Sequence, residues 1–420
     1  MIIMHQIHGL LLIVLFLLVS VIPNSLNTEA GVALSVTFML SVYFIALSKS
    51  LKKLISLFFL SVVVTIFYML LGVYNDAPFI AIIQTSIIYI VTPFFWIVIA
   101  TAMFNFFALK TLIYWTKILT ILSVISVAVF FYLFLNYGEE SVLFFIKEPN
   151  INLQDGFSAA TLHVYGSLIF FGGAFFSTPK IIRNYAIRYT LLASLAACVL
   201  TSGRSALIMA IFIGIFIGII HGEYGNIKKI KIASNWIVKI LSLIGIVLIG
   251  SSFYFYITMI SEINILVIFD NFIDKLLSGG GSERSEQAEA LTHSVWSSFG
   301  LGAGHGIGVS SLRSEEFPWR YELIWLATLH RVGILGSMVY AIPFVFCVLK
   351  FVADWRRNAI SETDLFVFSG FLSAIVASAT NPYIEAFSFQ WMYIVPLVYF
   401  LVYRIDHEYL SRIKNNIFTI

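Results

Sequence analysis

Three side chains in an overwhelmingly apolar sequence have types and settings that suit anion and proton chemistry. Arg204 interrupts VLTSGRSALIMAIF, Arg284 lies in GGGSERSEQAEAL, and Glu322 lies in PWRYELIW. An arginine near a bilayer centre costs about 2.5–3.5 kcal/mol on insertion scales, and less at the interface. Arg204 falls in a Ser-Gly break between two apolar runs. There its fork of donors, beside the N–H groups that open the next helix, makes a place for a phosphate. Snorkelling of a merely structural arginine is the competing account.

A helical pattern from Ser282 to about Ser298 sets the second arginine. Ser282 can cap it, and Glu283 and Glu286 suit the positive end of its dipole. At 3.6 residues per turn, Arg284, Ala288, Leu291 and Val295 share one face, and Glu286, Glu289 and His293 take the other. Arg284 therefore points with the apolar stripe, and two arginines converging there would suit a diphosphate. The alternative is a single charge in a loop.

Glu322 opens PWRYELIWLATLHRVGILGSM, residues 318–338. A helix begun at residue 321 puts Glu322, Gly333 and Gly336 on one face, where glycines admit a neighbouring helix. Glu322 then faces protein, unless it pairs with Arg320 or another surface arginine. Arg331 falls deeper and on the opposite face, and an acid from another span is its expected partner. The string GLGAGHGIG, residues 300–308, fits GxGxxG in no register. Loop flexibility or close substrate approach accounts for it better, with His305 a sugar or phosphate contact or, more simply, a surface histidine. HExxH, DxD, CxxC and GxSxG are all missing from the chain, so no metal, cofactor or serine-hydrolase chemistry is expected.

The elements that must hold these residues are membrane spans. Of the 420 residues, 60% are hydrophobic and 11% charged, too apolar for a soluble fold. Apolar runs lie near 9–22, 30–47, 54–73, 79–108, 118–137 and 160–177, and again near 186–201, 205–221, 236–258, 321–349, 364–380 and 387–403. The expectation is an all-α polytopic integral membrane protein of about 12 transmembrane helices, one domain over residues 1–420. The N-terminus has no basic n-region or clear cleavage site and is expected to remain as the first span. Cys198 and Cys347 fall inside apolar runs and read as packing.

Of the 25 basic residues, 18 fall in alternate loops and 7 on the other side, counted along the sequence. The positive-inside rule then places both termini in the cytoplasm. The opposite, extracytoplasmic side carries a loop at 138–159 and a large one at 259–320 between the ninth and tenth spans, with the short helix near 282–298 inside it.

In order, TSGRSAL, RSEQAEAL…W…GLGAGHG, GILG and ATNPYIEAF resemble the O-antigen polymerase and ligase superfamily over roughly residues 195–400. The resemblance implies a metal-independent enzyme acting on undecaprenyl-diphosphate-linked oligosaccharides at the periplasmic face of the bacterial inner membrane. It implies that Arg204 and Arg284 hold the diphosphate. Substrate contacts are expected from His305, Arg313 and Arg320. Lipid, a flippase and a chain-length regulator are the implied partners, and nucleic acid is not. The ligase branch carries a histidine followed by Asn, Ser or Gln, then nine residues before GxxG. Counting back from Gly333 gives Glu322 and Leu323 instead. That departure favours a polymerase with Glu322 as base. Ligation to lipid A core, and a flippase or transporter, are the alternatives.

Overall fold

The computed structural model describes residues 2–143, 151–154, 157–160, 162–202, 204–223, 282–311, 314 and 316–408. Helices run from α1 (Ile2–Ser20) and α2 (Asn27–Ser41) through α3 (Lys49–Tyr74), α4 (Phe79–Ser86) and α5 (Thr92–Phe106) to α6 (Leu109–Tyr137). A π-helical turn, Ile87–Val91, joins α4 to α5. Next come α7 (Val164–Ser177), α8 (Tyr185–Ser202), α9 (Ser205–His221) and α10 (Ser282–Ser297). The described chain ends with α11 (Ile324–Arg356), α12 (Glu362–Ala377) and α13 (Trp391–Val398), the last continuing as a π-helical turn.

Every anticipated apolar run in the described residues lies mostly on helix, while 236–258 falls outside them, as does 259–281 of the large loop. Four helices, Lys49–Tyr74, Phe79–Phe106, Leu109–Tyr137 and Ile324–Arg356, are long and apolar enough to cross a membrane. The protein is thus helical and membrane-embedded, since lipid leaves the backbone no hydrogen-bond partner but itself. One departure from an all-α fold is a hairpin of β1 (Ile151–Gln154) and β2 (Phe157–Ala160), antiparallel with Gln154 opposite Phe157.

The core is built on α7, which is buried along nearly its whole length. At about 1.5 Å per residue it is too short to span a hydrocarbon core of ~30 Å. It is instead enclosed by α1, α6, α8, α9 and α12. Small residues allow the tightest approaches. A Cβ on Gly173 would lie 2.0 Å from Ser373 Oγ, and one on Gly214 would lie 2.5 Å from the Gly173 carbonyl. Around this centre α3 leaves Phe59, Val63, Phe67 and Leu70 exposed, the stripe expected of a lipid-facing helix.

The two ends of the bundle differ. At one, Lys350 bridges Asp354 and Glu408, both at 2.8 Å, and Arg404 meets Asp364 at 2.6 Å. The other end carries the break between α8 and α9, the first turn of α10 and the segment before α11.

α11 is not continuous. Gly333 has φ 63° and ψ −173°, and the helix is broken there. The glycine string fills the break: Ala303 and Gly304 donate to the carbonyls of His330 and Arg331, and Ile334 donates to that of Gly300. On the other side the same loop lies against α3, with His305 N–H bonded to the Tyr68 carbonyl. A Cβ on Gly304 would stand 2.4 Å from the Gly72 nitrogen, and its φ of +99° favours glycine besides. The glycines thus serve a close approach of protein to protein.

Candidate functional site

Arg204 is the residue before α9, extended at φ −106° and ψ 118°, with its own N–H on Ser202 Oγ. That conformation ends one helix and turns the side chain toward the short 3-10 turn Tyr383–Glu385 between α12 and α13. Its Nη1 donates to the Tyr383 hydroxyl at 2.9 Å. The Glu322 carboxylate and the Tyr165 side chain also stand within electrostatic reach of this guanidinium.

Arg284 lies in the first turn of α10, on the apolar face its periodicity assigned. Leu291 on that face is fully buried against Tyr321 and Ala327, with Val309, Leu323 and Leu326 around them. This small core fixes α10 beside the start of α11, and the contact of Ser294 Oγ with His330 Nδ1 at 2.8 Å adds a polar tie. Arg284 Nε consequently reaches Glu322 Oε2 at 2.6 Å. Both side chains are about three-quarters covered, yet still open to solvent. Glu286, Glu289 and His293 are exposed, as expected. The structure therefore gathers Arg204, Arg284 and Glu322 at one end of the bundle.

Glu322 is not on the helix where periodicity placed it. α11 starts at Ile324, whose N–H returns to the Glu322 carbonyl, so the carboxylate precedes the helix. The Tyr321 hydroxyl accepts from Val309 N–H at 2.6 Å, which holds this stretch as an irregular strap. Gly336 does admit a neighbour: a Cβ there would meet the Tyr68 ring of α3 at 3.0 Å.

His305 is not a surface residue. Only 1% of it is exposed, its Nε2 lies 3.2 Å from the Tyr340 hydroxyl, and its ring meets that of Tyr89. Burial, with Arg331 nearby, pushes its pKa down to about 3, so it is neutral. Arg320 is exposed, donates to Gln84 Oε1 at 2.9 Å and lies over the Phe317 ring. Arg313 is outside the described residues.

Beneath the arginine cluster is a buried assembly that the sequence reading only half anticipated. Arg331 pairs with Glu385, which also accepts from the Tyr89 hydroxyl at 2.5 Å. Arg331 Nη2 donates to the Trp319 carbonyl at 2.7 Å. One side chain therefore ties the strap carrying Glu322 to the turn carrying Tyr383. Tyr89 reaches it from the π-helical turn, where an extra residue re-aims the side chain. Glu385 was findable in principle, as the single acid between Asp364 and Asp406. Tyr383 and Glu385 both lie in ATNPYIEAF without a role having been assigned to either, and Tyr89 gave no signal among 20 tyrosines.

Next to this assembly is a cavity of about 550 Å³ between α3, α5, α11, α12 and α13, lined almost wholly by apolar side chains such as Phe58, Ile97, Phe344 and Ile394. Ile324, two residues past Glu322, and Ile384, between Tyr383 and Glu385, form part of its wall.

Fold and site together define a helical membrane-embedded protein with two arginines and a carboxylate clustered at one end beside an apolar cavity. No protein-family model, curated protein or solved structure matches the chain.

Proposed function

We propose that this protein is an O-antigen polymerase of the polymerase and ligase superfamily. It transfers the growing glycan from undecaprenyl diphosphate to the next lipid-linked repeat unit, at the periplasmic face of a bacterial inner membrane. The observation that carries the reading is the convergence of Arg204, Arg284 and Glu322 beside an apolar cavity.

In the reaction the acceptor hydroxyl attacks the anomeric carbon and the bond from that carbon to the diphosphate oxygen breaks. The diphosphate leaves with the electron pair. Arg204 and Arg284 offset its charge with preorganised donors, and Glu322 takes the proton lost by the hydroxyl. Arg284 exchanges Glu322 for phosphate on binding, which frees the carboxylate at the moment a base is needed. A carboxylate where the ligase branch has histidine supports polymerisation over ligation. A chain-length regulator and a flippase are the partners this reading implies.

The test is deletion of the gene with complementation by the wild type, Glu322→Gln or Arg284→Ala. The expected result is surface glycan cut to one repeat unit on lipid A core in the deletion and both variants. Loss of all capped core in the deletion would favour a ligase or flippase. Full-length chains with both variants would remove the site assignment.

A further inference from the structure

The geometry points to the end of α10 and the turn that follows it being seated in the lipid bilayer, as an interfacial anchor beside α11. Trp296, Phe299 and Leu301 are 76%, 89% and 66% exposed, and they project from one short stretch. Between His293 and Arg313 the sequence has no Asp, Glu, Lys or Arg. A water-facing loop rarely shows so many large apolar groups without a charge among them.

The depth of the stretch is fixed by α11, a helix long and apolar enough to span a membrane. Ile334 N–H donates to the Gly300 carbonyl, and a Cβ on Gly300 would stand 2.8 Å from the end of the Ile334 side chain. Ile334, Leu335 and Met338 are themselves exposed on α11. The patch formed by Trp296, Phe299 and Leu301 is therefore continuous with the lipid-facing surface of a spanning helix, alongside residues well past its first turn. A tryptophan beside lipid-facing apolar side chains matches an aromatic belt.

The backbone agrees. α10 closes with the Gly300 N–H on the Val295 carbonyl, and Phe299 in that closure has φ +52°. This is the left-handed position where helix ends ordinarily place glycine. A phenylalanine held there in a strained conformation and almost wholly exposed is unfavourable in water. In lipid its exposure is favourable. The first half of α10 carries the exposed Glu286 and Glu289, so the helix dips at its C-terminal end. The inference stands apart from the glycan reading and concerns only where this element sits.

The test uses single nitroxide labels in a Cys198→Ala/Cys347→Ala background, reconstituted in nanodiscs of phosphatidylethanolamine and phosphatidylglycerol. Labels at Phe299→Cys and Leu301→Cys are expected to collide more with oxygen than with a water-soluble nickel chelate, as at Leu335→Cys. The ratio is expected to invert at Glu289→Cys. If labels at 299 and 301 behave like that at 289, the patch lies in water, open to a protein partner, and the inference is overturned. Brominated lipid gives a second reading that leaves the turn intact: the quenched part of the fluorescence should drop in Trp296→Phe. An unchanged quenched part would overturn it equally.

Discussion

Removing Arg331 leaves Glu385 without its cation in a largely desolvated place. The side chains are 5% and 11% exposed, so the pair belongs with buried ion pairs and not with surface ones worth about 0–1 kcal/mol. Breaking a buried pair from one side costs about 3–5 kcal/mol, because the surviving charge stays desolvated. Arg331→Met also strips the Trp319 carbonyl of its donor. The expected loss is therefore at least about 3 kcal/mol, roughly a hundredfold or more in the folding equilibrium. Arg331→Met/Glu385→Leu removes both charges and is expected to recover much of that loss, giving a coupling of about 2 kcal/mol or more across the cycle. Unfolding by sodium dodecyl sulfate in mixed micelles, followed by circular dichroism, measures all four proteins. Single variants within about 1 kcal/mol of wild type, or a double variant whose loss is the simple sum, would refute the reasoning.

Two further outcomes are expected. Arg204→Lys keeps the charge but loses the planar fork, so undecaprenyl diphosphate binding should weaken about tenfold or more in a detergent binding assay. Unchanged binding would mean the arginine is only an interfacial anchor. For His305 the folded pKa, about 3, lies below the ordinary 6.5. The unfolded chain then binds the proton first, so stability is lost as pH falls from about 6.5 toward 3, at up to ~1.4 kcal/mol per pH unit. His305→Gln should flatten that slope in acid unfolding curves, and an unchanged slope would assign it to other groups.

What the sequence disclosed follows from the range of the forces involved. α10 was legible because an apolar stripe every third or fourth residue is a local pattern, and Arg284 and Leu291 fell on the face it named. The spans were legible because lipid requires long apolar helices. Glu322 was misplaced onto α11 because two distant contacts decide where that helix starts and breaks. One is the Tyr321 hydroxyl on Val309, and the other is the glycine loop bonded across Gly333. His305 was misread for the same reason: its burial comes from Tyr68, Tyr89 and Tyr340, on three separate helices. Hydropathy reports the solvent around a helix. It carries no information about which side chains meet at the helix ends.

The glycine loop also orders the assembly of the chain in time. The Tyr68 hydroxyl bonds the Leu301 carbonyl, 233 residues later. The notch at Gly72 and the gap at Gly333 are filled by the same short loop. α3 is synthesised with its half of that joint vacant, and it stays vacant through most of translation. This particular joint between early and late spans closes only when residues 300–306 arrive. A nascent chain stopped before them leaves the notch at Gly72 unfilled.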